Sequence, residues 1–402
     1  EFRRVLFRSF VGCMAMALLA NYPFALAPGM GLNAYMAFTV CGNMGYSWQI
    51  ALLAVFVEGL IFIVLSLTNV REAIFNAIPM ALKKGVSAGI GLFIAFIGLQ
   101  GANLVVNDDS TLLTYVKFVG DFHTIGIGAL LALIGLFIIV VLHHKNIKGS
   151  ILIGILATWI LGMICEAIGL YVPDGKEFYS LYPTFRMIDF GAFGTTFGQC
   201  FNVDFSGVDI LNFIAVLFAF LFVDIFDTLG TLIGVSTKAN MLDEEGKLPR
   251  IRPALLADAI ATSVGAIFGT STTTTYVESS AGVAAGGRTG LSAMVTGLLF
   301  LLAIVFAPIF TAIPSFATAP ALIFVGFLMI SSIISIDFED ITEAVPAYLA
   351  MLAMPLMYSI SEGIALGVIS YVVINLCCGK AKKIKPLMYI LTVLFVLKYI
   401  FL

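Results

Sequence analysis

Charged side chains are scarce in this sequence. They make up 11% of its 402 residues, whereas soluble domains carry about 25%. The formal net charge of −3 also lacks the excess of either sign that would indicate nucleic acid or an acidic partner. The composition therefore excludes an ordinary soluble domain, and we predict no nucleic-acid partner.

Residues that bind metals or act as nucleophiles are also few. None of the six cysteines forms a C-x-x-C pair, and two of the three histidines stand side by side at 143–144, next to Lys145. That pattern is typical of a solvated loop rather than of a metal site. Since no nucleophile–base motif is present either, we predict no metal, no cofactor and no enzymatic activity.

Apolar residues dominate instead. They make up 60% of the chain, and the mean hydropathy is +1.07. Apolar runs of about 20 residues match the length of helix that crosses a lipid bilayer, so the sequence predicts an all-α polytopic membrane protein. The predicted spans are 48–67, 86–101, 126–142, 150–170, 209–235, 251–268, 291–310, 319–335, 342–358, 360–378 and 386–402. The break at Ser359 also allows 342–358 and 360–378 to form one kinked element.

One polar stretch, residues 269–290, interrupts this pattern between two apolar segments. Ser271 to Tyr276 is β-branched and aromatic, which favours extended backbone, whereas the small residues 277–285 suit about two turns of helix. Extended backbone at membrane depth needs partners from protein or from a water-filled cavity. We therefore interpret the stretch as a buried polar binding site, with Glu278 in the first turn of a half-helix.

A second interruption covers residues 21–40. Prolines and glycines at positions 23, 28, 29 and 31 break a helix there, so that helix is expected to begin only near Leu32. We expect residues 23–31 and 271–276 to be extended and close together. Two interrupted spans, each an extended segment followed by a half-helix, are expected of an inverted-repeat transporter.

The first residues differ from the rest of the chain. Residues 1–9 carry three arginines and lack the apolar core of a signal peptide, so we predict that they are a non-native scar. The apolar run Phe10–Ala20 is too short to span the bilayer. We therefore expect an N-terminally truncated sequence, with about one further span upstream.

Lysine and arginine are distributed unevenly over the predicted loops. One set of alternate loops holds fourteen of them and the opposite set holds three. Because basic loops remain in the cytoplasm, we place the first set there. The fourteen lie in loops 71–85, 143–149, 236–252, 286–290 and 379–385.

Acidic residues inside apolar segments are the next signal, because a charge at the bilayer centre costs about 2.5–3.5 kcal/mol. Asp224 and Asp227 lie three residues apart and share a helix face with Thr231. We predict functional roles for Asp227 and Glu278, each of which has polar neighbours. Asp224 is a candidate relay or a structural support.

Three other acids, Glu58, Asp258 and Glu362, lack such a polar neighbourhood. We expect them to pair with Arg71, Arg288 or free backbone N–H groups for structural reasons. Arg288 is the basic residue that we expect near the site.

Two half-helix N-termini supply N–H donors, and the carboxylates supply acceptors. A planar heterocycle with both N–H groups and ring acceptors matches this mixture, whereas the acids repel a simple anion. A carboxyl group removed from water can also carry a proton.

Three motifs together resemble those of the AzgA-like purine permeases, which are nucleobase:cation symporters of the nucleobase–ascorbate transporter superfamily. The resemblance runs from about Met14 to the C-terminus. The motifs are Ala-Pro-Gly-Met-Gly-Leu-Asn-Ala-Tyr at 27–35, Phe-Val-Asp-Ile-Phe-Asp-Thr-Leu-Gly-Thr-Leu at 222–232, and Gly-Thr-Ser-Thr-Thr-Thr-Thr-Tyr-Val-Glu-Ser at 269–279, followed by Gly-Gly-Arg-Thr-Gly at 286–290.

The resemblance implies two inverted sets of seven spans that form a core domain and a gate domain. It places the substrate between the half-helices of the third and tenth spans, residues 21–40 and 269–290, next to the eighth span. The predicted substrate-binding residues are Asp227, Glu278, Asn33, Gly31, Thr231 and Thr275, and the predicted proton-coupling or supporting residues are Asp224 and Glu278. The first span of this scheme is absent, and 386–402 exceeds its count of fourteen.

We accordingly divide the chain into sequential segments. They are the scar 1–9, the first repeat 10–170, an extracytoplasmic connector 171–208, the second repeat 209–378, and a cytoplasmic basic loop with an extra hydrophobic segment, 379–402.

The predicted function is import of a purine nucleobase (hypoxanthine, guanine or adenine) by proton symport across the plasma or inner membrane. The alternative is an anion transporter or channel on the same fold. Such pores favour basic linings, which argues against it here. A homodimer is left open.

Overall fold

The structure is a computed structural model, and it describes residues 2–29, 32–33, 35–118, 121–175, 178–183, 196–204 and 210–401. Helices dominate it, because a helix satisfies its own backbone groups in hydrocarbon. The α-helices are α1 Phe2–Ala15, α2 Trp48–Leu67, α3 Val70–Ala77, α4 Met80–Gly101, α5 Ile127–His144, α6 Ser150–Ala167, α7 Ile210–Lys238, α8 Ile251–Ile267, α9 Ser279–Ala284, α10 Gly290–Val305, α11 Ala307–Phe310, α12 Ser315–Ile330, α13 Ile341–Leu356, α14 Ile360–Cys377 and α15 Pro386–Phe401.

Helical turns of other widths extend or link these helices. Wider, π-type turns cover Met16–Ala20, Tyr35–Asn43 and Phe122–Gly126, and tighter 3-10 turns cover Gln199–Phe201, Ser331–Ser335 and Ala381–Lys383. The four strands are β1 Leu26–Pro28, β2 Val105–Asp108, β3 Leu112–Tyr115 and β4 Thr273–Thr275.

Seven helices in the described part of the chain have the length and composition to cross a membrane. They are Trp48–Leu67, Met80–Gly101, Phe122–His144, Ser150–Ala167, Val216–Lys238, Ser315–Ser335 and Ile360–Cys377. Three shorter apolar helices, Gly290–Val305, Ile341–Leu356 and Pro386–Ile400, accompany them. These helices confirm the prediction of a polytopic α-helical membrane protein.

The N-terminal helix is longer than the apolar run 10–20 predicted. α1 begins at Phe2, and its helical path continues to Ala20. Leu6 is buried against Ala303 and Ile304 of α10, so the apolar residues before Phe10 pack like the rest of the helix. The non-native origin of residues 1–9 stays a prediction.

Helix α3 lies in the segment 71–85 that was predicted to be a loop. Its apolar and polar residues alternate at helical spacing, and Ile74 and Phe75 are buried. A helix of 8 residues is shorter than the window in which hydropathy identifies a span. The loop prediction is wrong at this point.

Helices α13 and α14 are separate, so the alternative of one kinked element is wrong. Tyr358, between them, has a φ of 53°, a left-handed conformation that stops a helix. The two helices then pack closely side by side. A Cβ atom on Gly363 would lie 2.7 Å from the carbonyl oxygen of Ala350, so glycine permits this contact.

Two small antiparallel sheets complete the architecture. β1 pairs with β4 across most of the sequence, and β2 pairs with β3 in a local hairpin. The hairpin lies in the predicted loop 101–125, where no strand was predicted. The extended segments that the sequence predicted before each half-helix are confirmed by β1 and β4.

The chain forms two compact units. Unit 1 comprises residues 1–90, 189–305 and 331–402, and unit 2 comprises 91–188 and 306–330. In unit 2, α5, α6 and α12 surround a core that includes Leu131, Trp159 and Phe316. In unit 1, α2 and α7 share a core that includes Val55 and Phe220.

Basic loops that the sequence assigned to one side of the membrane meet within unit 1. Lys83 donates a hydrogen bond to the carbonyl oxygen of Gly246 over 2.5 Å, which joins the loops 71–85 and 236–252. Lys385 donates to the carbonyl oxygen of Asn76 over 2.6 Å, which joins 379–385 to the first of them. Three of the five basic loops are therefore neighbours.

Candidate functional site

The pair of strands β1 and β4 is the centre of the candidate site. Leu26 pairs with Thr275, and Pro28 pairs with Thr273. The backbone N–H of Tyr276 donates to Ala25 over 2.8 Å, which continues the pairing beyond the strands. Because each strand supplies backbone partners for the other, extended chain is tolerated among the helices.

Neighbouring helices fix the two strands. In α8, the hydroxyl of Thr262 donates to the carbonyl oxygen of Thr273 over 2.9 Å. In α1, the sulfur of Cys13 accepts a hydrogen bond from the backbone N–H of Leu26 over 3.3 Å. Small side chains that bond to backbone thus replace the missing ladder partners on the open edges of the strands.

A short helix follows β4 as predicted. It begins at Ser279, two residues later than the expected Val277. Ser279 also accepts a hydrogen bond from the backbone N–H of Ala25 over 2.9 Å, which ties the start of α9 to the segment before β1. At the other end of α9, Arg288 donates to the carbonyl oxygen of Val283 over 2.5 Å. A positive side chain at the C-terminal end of a helix is favourable.

The segment after β1 turns into helix near Leu32, also as predicted. The backbone N–H of Asn33 donates to Gly29 over 2.9 Å. The Asn33 side chain is exposed, and its Oδ1 accepts a hydrogen bond from the hydroxyl of Ser271. This contact links the two half-helical segments. Gly31 lies outside the described residues.

Helix α7 carries the predicted acidic pair. It packs against β4, α9 and α14. Thr231 is buried and Asp227 is half-buried. The Oδ1 atom of Asp227 has no hydrogen-bond partner among the residues that the structure describes, whereas the backbone N–H of Ser361, in α14, lies against its carboxylate.

Gly230 explains how α14 comes so close to α7. A Cβ atom at this position would lie 2.7 Å from the Cγ2 atom of Ile360. Any larger residue would require the side chains of Ile360 and Ile364 to move, in the turn of α14 that carries the Ser361 N–H. The glycine of the α7 motif therefore has a packing role beside the site.

Glu278 and Thr275 lie on the β4 side of the site. Glu278 is half-buried and immediately precedes α9, and its carboxylate lies near its own backbone N–H. Thr275 is 1% exposed, and within the described residues its hydroxyl has no hydrogen-bond partner. Helix α7 packs against β4, and Asn33 bonds to Ser271 just before that strand. The roles of the predicted site residues stay predictions.

The acids that we expected to be structural do have partners. Asp258 forms an ion pair with Arg71 over 2.8 Å, which confirms that predicted pairing. Glu58 accepts a hydrogen bond from the hydroxyl of Thr272 over 3.0 Å. Glu362 contacts Lys398 and accepts a hydrogen bond from Tyr399 over 2.5 Å.

The expectation that Arg288 is the basic residue near the site is corrected. Arg8 is buried, and its Nη1 donates to the carbonyl oxygen of Ser271, immediately before the paired strands. Arg71 is buried beside Asp258. Nothing in the local sequence of either arginine indicated this position, because each contact joins segments more than 180 residues apart.

Unit 1 also contains a cavity of about 470 Å³ among the basic loops. It is lined by Lys84, Lys383 and Lys385 with Asp340 and Glu343, and it shares no lining residue with the paired strands. Hydrogen bonds from Thr342 and Lys380 hold the pKa of Asp340 well below its usual range. Among the described residues, no group of three His, Cys, Asp or Glu side chains has the geometry to hold a metal ion.

Comparisons with known proteins agree along most of the chain. A family model described as "Permease family" matches residues 2–366. A putative permease of Methanocaldococcus jannaschii is 46% identical over 394 residues, which is 98% of this chain and 86% of that protein.

Two relatives have more specific names. The guanine/hypoxanthine permease PbuG of Bacillus subtilis is 47% identical over 98% of this chain and 85% of that protein. The adenine permease AdeQ of Escherichia coli is 40% identical over 97% of this chain and 83% of that protein.

Among solved structures, the transmembrane domain of the cyanobacterial bicarbonate transporter BicA has a TM-score of 0.56 at 18% identity. The match covers 90% of this chain and 88% of that one. At this identity the likeness shows the fold alone.

Proposed function

This chain belongs to the permease family whose model spans it, and we propose that it imports purine nucleobases together with protons. Membership makes the protein a multi-pass transporter of the plasma membrane and not an enzyme. The substrate, the coupling ion and the roles of individual residues are the proposed part.

The relatives support the choice of substrate. A guanine/hypoxanthine permease and an adenine permease each align with nearly the whole chain. These bases share a fused planar ring with N–H donors and ring-nitrogen acceptors. A site for any of them must offer both kinds of partner in a confined space.

The single observation that carries the proposal is the pairing of β1 with β4, against which the acid-bearing helix α7 packs. Asp227 and Glu278 are half-buried carboxylates that can accept hydrogen bonds from purine N–H groups. The hydroxyls of Thr231 and Thr275 and the amide of Asn33 provide further donors and acceptors. Gly31, three residues after Pro28 in the sequence, has no side chain, and its proposed role is to let the base approach the backbone.

Proton coupling is supported by the chemistry of the same region. A buried carboxyl group is stabilised in its neutral form, so binding and release of a proton can accompany the change between states of a transporter. Asp224 and Glu278 are the proposed coupling or supporting residues. The proton, like the lipid bilayer and the base, is thus a proposed partner, and the homodimer that the sequence left open stays a prediction.

The proposed architecture is two inverted sets of seven spans with core and gate domains. Two facts support it: each compact unit takes segments from both sequence halves, and the two half-helices enter through paired strands from the two halves. The proposed cytoplasmic side is the one at which the basic loops of unit 1 meet.

Uptake in cells that lack purine transport tests the proposal. Expression of the protein should allow accumulation of labelled hypoxanthine, guanine or adenine, and an uncoupler should abolish accumulation without abolishing exchange. Unlabelled purines should compete, and bicarbonate and sulfate should not. Accumulation of bicarbonate without purine uptake would overturn the substrate, and purine accumulation that ignores the uncoupler would overturn the coupling.

An anion transporter on the same fold is not favoured. Arg71 is paired with Asp258, so its charge is compensated. Arg8 donates from Nη1 to the carbonyl oxygen of Ser271, while its Nε and Nη2 have no partner among the described residues. The bicarbonate transporter that shares the fold is 18% identical to this chain, and a likeness of fold at that identity does not indicate the substrate.

A further inference from the structure

A cluster of buried carboxyl groups lies behind the proposed substrate site. Glu58 in α2, Asp224 in α7 and Asp258 in α8 are each 0% exposed. They belong to different helices and are brought together only by packing. Arg71 in α3, also 0% exposed, is the basic side chain that contacts this cluster.

The partners of these groups are unequal. Arg71 binds Asp258 over 2.8 Å, and the hydroxyl of Thr228 donates to Asp258 over 3.2 Å. Asp258 is therefore compensated in charge and in hydrogen bonds. Arg71 also interacts electrostatically with Glu58 and Asp224, but the ion pair that it forms in the described part of the chain is with Asp258.

Glu58 and Asp224 are compensated poorly. Glu58 accepts one hydrogen bond, from Thr272, at its Oε2 atom, and its Oε1 atom has no partner among the described residues. Neither carboxylate oxygen of Asp224 has a partner there. Buried carboxyl oxygens without partners are rare in proteins, and each requires an explanation.

Asp224 is repelled electrostatically by Glu58 and Asp258, and buried carboxyl groups that repel one another are not all ionised together. We propose that Glu58 and Asp224 form the site that carries the coupling proton. Glu58 then takes the coupling role that the proposed function shared between Asp224 and Glu278, and Glu278 binds the base together with Asp227. This inference rests on the proposed function and deepens it. It also changes the expected role of Glu58 from a structural acid to a proton-carrying one.

A proton fits this place better than a divalent metal ion. Ca²⁺ and Mg²⁺ need several oxygen ligands around one point, and no group of three acidic, histidine or cysteine side chains in the described chain has that arrangement. A proton needs a single carboxyl oxygen, which the unpartnered oxygens of Glu58 and Asp224 offer.

Two contacts link the proposed proton site to the substrate site. Thr272 donates its hydroxyl to Glu58, and its carbonyl oxygen accepts the backbone N–H of Gly29 over 3.3 Å at the edge of the paired strands. Asp224 and Asp227 lie three residues apart on one face of α7. Protonation of the pair therefore changes both the hydrogen bond from Thr272, the residue before β4, and the charge near Asp227.

The charged groups that act on Asp224 lie in four helices. They are Asp258 in α8, Glu58 in α2, Arg71 in α3 and Asp227 in α7 itself. Asp258 has its partners, and Asp227 is assigned to the base. Glu58 and Asp224 are the two acids of this group that have unpartnered oxygens in the described chain and no role in binding the base. The pH dependence of transport should consequently follow these two residues.

Transport assays on Asp224→Asn and Glu58→Gln separate coupling from binding. Both variants keep the size of the side chain and remove the exchangeable proton. In proteoliposomes, exchange of labelled for unlabelled hypoxanthine should persist, whereas accumulation driven by a proton gradient should fall to the level seen with an uncoupler. Glu72→Gln, a half-buried acid of α3 outside the cluster, is the matched control and should accumulate like the parent.

Infrared difference spectroscopy of the parent protein provides a second readout, which does not depend on transport by the variants. Titration with pH should change a protonated-carboxyl C=O stretching band, and that band should be weaker in Asp224→Asn and in Glu58→Gln. This measurement remains decisive if a variant loses exchange because it misfolds.

Several results would overturn the inference. Accumulation by both variants at the parent's ratio and with the parent's pH dependence is one. Absence of the carboxyl band in the parent is another, and stimulation of uptake by sodium with no effect of a proton gradient is a third. If the parent transports no purine but the band titrates as expected, the proposed substrate fails while the proton site stands.

Discussion

Two ion pairs of nearly equal length lie in different surroundings in this protein. Arg71 and Asp258 are 2.8 Å apart with both side chains 0% exposed, whereas Lys383 and Glu343 are 2.7 Å apart with side chains 44% and 15% exposed. Distance alone would rank them equal. Because of their surroundings, we expect the first pair to matter strongly for the free energy of unfolding and the second to matter little.

The physical reason lies in what remains when one partner is removed. Inside the helices, loss of Arg71 leaves Asp258 ionised without compensation, or forces it to take up a proton. At the basic end of unit 1, water and salt replace a lost lysine almost completely. The comparison yields four predictions, which run from the buried pair to the exposed one.

Arg71→Met should have the largest effect on stability. It removes the partner of Asp258, and the expected loss is about 3–5 kcal/mol in the free energy of unfolding. Thermal unfolding in detergent measures it. The double variant Arg71→Met/Asp258→Leu should recover part of the loss, because no buried charge then remains. A loss no larger than that of Lys383→Met would show that burial does not distinguish the two pairs.

Glu278→Gln and Asp227→Asn should mainly weaken substrate binding. Each replaces a charged acceptor by an amide, and the loss of one charge-assisted hydrogen bond costs about 1.5–3 kcal/mol, or roughly ten- to a hundredfold in affinity. Competition binding of purines to the purified variants at fixed pH measures it. Glu245→Gln, at an exposed ion pair with Lys247, is the control. If both site variants fold properly and bind purines as tightly as the parent, the assignment of Asp227 and Glu278 to the base is wrong.

Lys398→Met should have an intermediate effect, because the pair that it forms with Glu362 is 12% and 21% exposed. The loss leaves Glu362 with Tyr399 as its partner, and we expect about 1–3 kcal/mol of destabilisation. Tyr399→Phe removes one hydrogen bond and should cost less, about 0.5–1.5 kcal/mol. Glu362 follows Ser361, whose backbone N–H lies against Asp227. Lys398→Met should therefore also reduce purine affinity. Parent-like affinity in Lys398→Met and in Tyr399→Phe would show that α15 does not influence the site.

Lys383→Met should have the smallest effect, about 0–1 kcal/mol. Its neighbour Asp340 makes the stability depend on pH in a definite direction. Because Thr342 and Lys380 lower the pKa of Asp340 in the folded state, its contribution to stability is complete above the ordinary aspartate value and is lost as the pH falls through the lowered one. Asp340→Asn should flatten the acid limb of the stability profile, and an unchanged limb would contradict this assignment.

Much of the architecture was predictable from the sequence. Continuous apolar runs are the direct signature of spanning helices, and the predicted 48–67 and 360–378 nearly coincide with α2 and α14. The paired strands were predictable because prolines, glycines and β-branched residues interrupt two of those runs. The short helix α3 and the hairpin of β2 and β3 were missed, since neither is long enough to produce a hydropathy signal.

The contacts within the site were less predictable. That Asp258 pairs with Arg71 was among the expected pairings, because charges buried between helices need partners. The bond between Thr272 and Glu58 joins residues 214 positions apart, and nothing in either local sequence indicates the other. The approach of Ser361 to Asp227 likewise depends on the packing of α14 against Gly230.

The sequence by itself determined that this protein crosses the membrane, where its helices lie, and which two spans are broken. These properties follow from hydropathy and backbone chemistry, which act over one span at a time. Only the tertiary structure decided which acids are compensated and which are not. Compensation depends on the side chains that neighbouring helices bring within hydrogen-bond distance, so Asp258 has an arginine and Asp224 has no partner among the described residues.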